Sequence, residues 1–343
     1  MPLSEVMSLT KQSSHLFTFC TSRPFLCIAT KWTSTANSET ALDRTKLCLV
    51  LLSGVGLTSS IWTPVVDRLY GIQAHPSSGQ ILGSVWAIER PSHGDSGVLN
   101  EAAFSGCDGV SPSSEYAAAL AGFMGSHLLT EAERSNVAVI SHSAGVAALV
   151  HALSQYKMRC RIRCLVLIEP TTFDECDLAV FKKWVQRVER FFSRKKTSWA
   201  SVEQALSSNK SWNRFHKEVR DIIARTFFRP ISGGVTTKTS AAQEIAALRE
   251  VALGVAVGRD LAAIISQIHT HVIYGSRRDY WPKILDDAFL RCIQKYRPLL
   301  ASVTPIQGEG HFAPQEAPRI IAASIYKNLV SEFSHGSNVT CKL

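Results

Sequence analysis

The sequence predicts an α/β fold, with a mostly parallel eight-stranded sheet, helices on both faces and a helical cap inserted late in the chain. Three observations carry this. Short β-rich runs recur along the chain, and from residue 137 onward they alternate with helical patterns. Residues 47–53, LCLVLLS, are almost wholly apolar, as a strand covered on both faces requires. The alternation is then interrupted between Ile168 and His271 by a stretch of different composition. With 343 residues, 45% of them apolar and 19% charged, the chain can bury one large core, which excludes disorder.

Taken in order, residues 15–21 and 25–33 form an opening pair of strands, followed by strands at 47–53, 85–89, 137–140, 164–168, 271–274 and 301–306. Helices are expected at 61–70, 115–129, 144–156, 241–257, 284–296 and 318–333. Residues 1–14 read as a flexible N-terminus, 15–170 and 241–333 as two parts of one core, 171–240 as the cap and 334–343 as a tail.

The cap is set apart by charge. Lysine and arginine number 37 against 28 acidic residues, a net +9, and residues 181–229 alone hold 13 against 4. Within it Phe181, Trp184, Val185, Val188, Phe191 and Phe192 share one helical face, with Lys182, Lys183, Arg187, Arg190 and Arg194 on the other. Trp212, Phe215, Val219, Ile222 and Ile223 repeat the spacing. Such a cap would accept an acyl chain inside and attract an anionic group, such as a coenzyme A phosphate, outside. A solvated helix face or an interfacial helix on a membrane would have the same pattern. No recognition motif for nucleic acid accompanies the charge.

No apolar run reaches 18 residues, which argues against a transmembrane helix, and the N-terminal MPLSEVMSLTKQSS lacks a secretory pattern. The chain is therefore expected inside the cell, with its nine cysteines reduced. There is no C-x-x-C pair to suggest zinc or a redox centre.

The strongest local signal is VAVISHSAGVAALVHAL at 137–153, a strand joined to an alanine-rich helix through Ser141-His142-Ser143-Ala144-Gly145. A serine on such a turn is forced into a tight conformation that projects its hydroxyl at a helix N-terminus. The pattern is G-x-S-x-G with Ser141 in place of the first glycine; an ordinary serine helix cap is the structural alternative. A serine nucleophile needs a base, and the base an orienting acid, in chain order Ser, acid, His. His311 lies on the glycine-rich loop GEGHFAP after the last expected strand and is the candidate base. Asp279, ending YGSRRD, is the preferred acid, with Glu169 at the end of LVLIE competing. The oxyanion would be held by the backbone amides of Ala144 and Val55, the latter in SGVG after the LCLVLLS strand.

These landmarks together resemble the α/β-hydrolase superfamily over roughly residues 40–333. LLSGVGLTSSIW, IERPSHGDS, SHSAG, YGSRRD and GEGHFAPQEAP occur in the family's order, with Ser53 where the family usually has histidine. The resemblance implies an α/β-hydrolase fold and a Ser–acid–His triad without metal or organic cofactor. The terminal Cys341-Lys342-Leu343 resembles a peroxisomal address read by the import receptor. A hydrolase ending this way resembles the peroxisomal hydrolases of fungal host-selective toxin biosynthesis of the AK-toxin type. That likeness implies a small-molecule substrate, an ester or acyl thioester of a medium-chain, polyketide-like acid. Acyl transfer by the same residues, or a non-catalytic binding protein of this fold, are the alternatives. An epoxide hydrolase would need aspartate at position 143.

Overall fold

The computed structural model describes residues 10–35, 45–104, 112–249 and 251–334. Its main sheet has eight strands: β1 (Thr10–Cys20), β2 (Pro24–Ser34), β3 (Leu47–Leu52), β4 (Leu82–Ile88), β5 (Val137–His142) and β6 (Ile162–Ile168), with two more from the end of the chain. Between these groups lie three short cap strands, β7 (Ser198–Trp199), β8 (Phe228–Ile231) and β9 (Gly234–Thr237); β10 (His269–Gly275) and β11 (Ser302–Ile306) then return to the main sheet. The order across it is β1-β2-β4-β3-β5-β6-β10-β11. The first two pairings are antiparallel and all later ones parallel. This is the α/β-hydrolase architecture that the resemblance implies.

The apolar run of β3 is buried at every position, and its residues alternate between two cores. Val50 and Leu52 face the helices Pro112–Gly125 and Ala144–Gln155, while Leu49 and Leu51 face Thr63–Gln73 and Pro318–Ser334. A strand flanked by helices on both sides has no solvent face, so alternation of polarity is lost. The parallel strands all end at the same edge, and the loops leaving β3, β5, β6, β10 and β11 meet there.

Four sequence expectations are corrected. Thr10–Ser14, expected in a flexible N-terminus, lie in β1, where Ser14 pairs with Thr30. The cap is not all helical, since β7, β9 and β8 make a small antiparallel sheet between its helices. Within it, Leu178–Phe192 is the expected amphipathic helix, with Phe181 and Val185 buried, but Phe191 is 68% exposed because the helix has turned it past the packed face. Trp212 and Phe215 precede the second helix, which is confined to Lys217–Thr226.

Among the described residues no helix is long and apolar enough to cross a membrane. Their cysteines are unpaired, with Cys27, Cys48, Cys164 and Cys292 buried; burial pushes the Cys292 thiol up to about 12 and leaves it unreactive. The Cys341-Lys342-Leu343 ending lies outside the described residues.

Candidate active site

Ser143 sits between the last residue of β5 and the first of the Ala144–Gln155 helix, with φ 55° and ψ −127°. Such a conformation costs about 1–3 kcal/mol in a residue with a side chain and is sustained by the packing around it. Gly145 shows how close that packing is. A Cβ there would stand 2.9 Å from both Ser141 Oγ and the Ser53 carbonyl oxygen. Ser141 itself fits in the first-glycine slot, fully buried with its hydroxyl unpaired.

Ser143 Oγ is 2.8 Å from Nε2 of His311. The other imidazole nitrogen, Nδ1, is 3.2 Å from Oε2 of Glu169, at the end of β6. Glu169 Oε1 accepts the Gly275 amide at 2.6 Å, and Arg278 reaches both carboxylate oxygens at 3.0 and 3.1 Å. Burial alone would push this carboxyl up, but the bond and charge of His311, then Arg278 and the Gly275 amide, bring it below the ordinary glutamate value. The carboxylate is thus ionised and takes a hydrogen bond from Nδ1–H, which leaves Nε2 as acceptor for the Ser143 hydroxyl.

His142 is neutral, its pKa lowered to about 3 by burial and then by the neighbouring His311. Its Nε2–H donates to the His311 carbonyl at 2.9 Å, pinning the loop that carries the base. The loop after β3 closes the other side. A Cβ on Gly54 would lie 3.0 Å from Ser143 Cβ, so glycine lets this backbone approach the serine. Ser53, standing where the family has histidine, accepts the Trp62 indole N–H at 3.0 Å and donates its own amide to Tyr116 at 3.1 Å. Val55 and Ala144 both border the cavity in front of Ser143. As the first residue of its helix, Ala144 has an amide with no intrahelical acceptor.

The sequence brought Ser143, His311, Val55 and Ala144 to one place, but not Asp279. That side chain is 38% exposed and pairs with Arg214 of the cap and with Arg277 at 2.8 Å. Burial would push it up, yet these two guanidinium partners hold it below the usual aspartate value. The reason it fails to meet His311 is positional: β6 lies between β5 and β10, and Glu169, with φ 49° and a side chain one methylene longer, reaches the imidazole first. Two residues had no signal in the sequence. Tyr280 lies flat on the His311 ring, and Trp281 meets it edge-on.

The cavity has a volume of about 50 Å³, with Phe181, Ala247 and Leu248 contributed from beyond β6 and Leu57, Tyr280 and Phe312 from the core loops. Ala247 and Leu248 belong to the helix Ala241–Arg249, which the sequence assigned to the core. Among the described residues no group of three or more His, Cys, Asp or Glu side chains is arranged to hold a metal ion.

Residues 49–324 match the family model described as the alpha/beta hydrolase family. Comparison with curated proteins finds no match. Similar solved structures include the peroxisomal alpha-beta-hydrolase Lpx1 from Saccharomyces cerevisiae, with 17% identity over 97% of this chain and 92% of that one and a TM-score of 0.71. The thioesterase domain from the curacin biosynthetic pathway aligns at 16% identity over 93% and 99%, TM-score 0.59. A thermophilic esterase from Thermogutta terrifontis aligns at 19% over 93% and 99%, TM-score 0.56.

Proposed function

The chain belongs to the alpha/beta hydrolase family, and from that premise we propose that it is a serine hydrolase of carboxylic esters or acyl thioesters. The observation that carries this reading is the unbroken relay from Ser143 Oγ through His311 to Glu169 beside an apolar cavity. Ser143 attacks the acyl carbonyl while His311 Nε2 takes its proton, and Glu169 balances the imidazolium that results. The amides of Val55 and Ala144 hold the oxyanion. His311 then protonates the leaving alcohol or thiol, and a water deprotonated by the same nitrogen releases the acid.

The substrate is proposed to be a medium-chain, polyketide-like acyl group of fungal host-selective toxin biosynthesis, handled in the peroxisome. Support for the compartment comes from Cys341-Lys342-Leu343, which resembles the address an import receptor reads, and from the peroxisomal protein among the similar structures. Support for the acyl class comes from the apolar lining and from the thioesterase and esterase neighbours. At about 50 Å³ the cavity holds on the order of four water molecules.

A fluorophosphonate probe tests the nucleophile. Wild-type protein is expected to be labelled and Ser143→Ala to be silent; equal labelling of the two would remove the assignment.

A further inference from the structure

Building on the reading of His311 as the base, we propose that Tyr280 is its positioning residue, fixing the plane of the imidazole and steadying the charge that arrives on it. The two rings are stacked, with centroids 4.1 Å apart and planes 5° from parallel. That face of the imidazole is thereby closed. On its remaining sides His311 meets the edges of Trp281 at 5.7 Å and Phe312 at 5.4 Å, and the tilted ring of His142 at 5.4 Å. Turning the imidazole out of the line joining Ser143 to Glu169 would require displacing Tyr280.

Core packing does not explain this placement. Tyr280 is 38% exposed, on an irregular segment between β10 and the helix Lys283–Tyr296. What holds the segment is a set of contacts on either side of the tyrosine. Asp279 is tied to Arg277 of the core and Arg214 of the cap, and Arg277 continues to Glu316. Trp281 packs on the cap Trp184 at 4.5 Å, which stacks in turn on Phe181. The aspartate that the sequence offered as the triad acid is thus an anchor for the residue lying on the base.

The stack also discriminates between stages of the reaction. When Nε2 takes the Ser143 proton, the imidazole becomes a cation against the negative face of a phenol ring, and the contact strengthens. An interaction that grows in the transition state is lost from kcat rather than from KM.

The test compares Tyr280→Phe, which keeps the ring face, with Tyr280→Leu and Tyr280→Met, which remove it, using a soluble aryl ester. The two aliphatic variants are expected to lose about 5- to 50-fold in kcat, the range set by loss of a ring–cation contact plus slight misplacement of the base; Tyr280 also borders the cavity, so KM is free to shift and the readout is kcat at saturating ester. Tyr280→Phe is expected to stay within about threefold of wild type. Thermal melts identify any variant that does not fold, and either aliphatic variant suffices. Wild-type kcat in a folded aliphatic variant, or a phenylalanine variant as impaired as leucine, overturns the proposal. Fluorophosphonate labelling of the wild type separates the two ideas, because its failure would remove the serine mechanism while an unaltered kcat in a labelled variant removes only the role of Tyr280.

Discussion

Glu169→Gln is the substitution whose outcome follows most directly from the geometry. Its carboxylate has two unequal oxygens. Oε1 receives the Gly275 amide at 2.6 Å and Arg278 at 3.0 Å, both obligatory donors, while Oε2 faces Nδ1 of His311 at 3.2 Å and Arg278 at 3.1 Å. A glutamine must turn its NH2 toward one of these positions. At the Oε1 position the NH2 would oppose two donors that cannot become acceptors. At the other it opposes one such donor, Arg278, and an imidazole that can adapt by moving its proton from Nδ1 to Nε2, so this is the less costly orientation. The variant therefore selects the tautomer in which Nε2 presents N–H to Ser143 Oγ, now 2.8 Å from a donor and unable to lose its proton. Freezing the wrong tautomer costs roughly 10^4-fold in kcat in triads of this kind, or about 5.5 kcal/mol at 1.36 kcal/mol per decade. Asp279→Asn supplies the contrast, because exposed ion pairs contribute about 0–1 kcal/mol and its kcat is expected to fall by no more than about fivefold. Both variants are assayed for kcat on a soluble aryl ester, with circular dichroism melts to confirm folding. Near-wild-type turnover by Glu169→Gln together with loss in Asp279→Asn would refute the reasoning.

Two further outcomes concern stability. In Gly145→Ala the new Cβ meets Ser141 Oγ and the Ser53 carbonyl at 2.9 Å and the Leu52 carbonyl at 3.2 Å; two of these are backbone and cannot swing away, so overpacking should cost about 1–3 kcal/mol, and an unchanged urea midpoint would contradict it. Glu89, at the end of β4, is pushed up to about 7 by burial, with Asp95 adding and the Ser96 amide and hydroxyl opposing. Because its folded value exceeds the ordinary 4.5, the native state holds the proton more readily. The stability this supplies is complete below pH 4.5 and lost as pH rises through about 7, roughly 3 kcal/mol in all. Glu89→Gln should flatten that part of the profile in urea unfolding at pH 5 and pH 8, and slopes equal to wild type would show that Glu89 is not responsible.

Much of the molecule was legible along the chain because its signals are local. LCLVLLS is a strand buried on two faces wherever it occurs, and SHSAG combines small neighbours with a helix start that only a sharp turn satisfies. Chain order then singled out His311 on its glycine-rich loop. Cap residues were legible only in part. The spacing of Phe191 matches the apolar face of its helix, yet 68% of it is exposed, because spacing gives an angle on the helix and not how far a neighbouring element extends.

By itself, then, the sequence determined the alternation of elements, the two-sided sheet, and which serine and which histidine share an edge, since each depends on residues near one another in the chain. Tertiary structure alone decided which carboxylate meets the imidazole and which ring lies on it. Glu169 and Asp279 both lie on segments leaving strands at that edge, and the choice between them rests on β6 lying beside β5, on one methylene of reach, and on guanidinium groups that draw one acid inward and the other toward the cap. Those are contacts between residues 65 to 142 positions apart, and no local pattern encodes them.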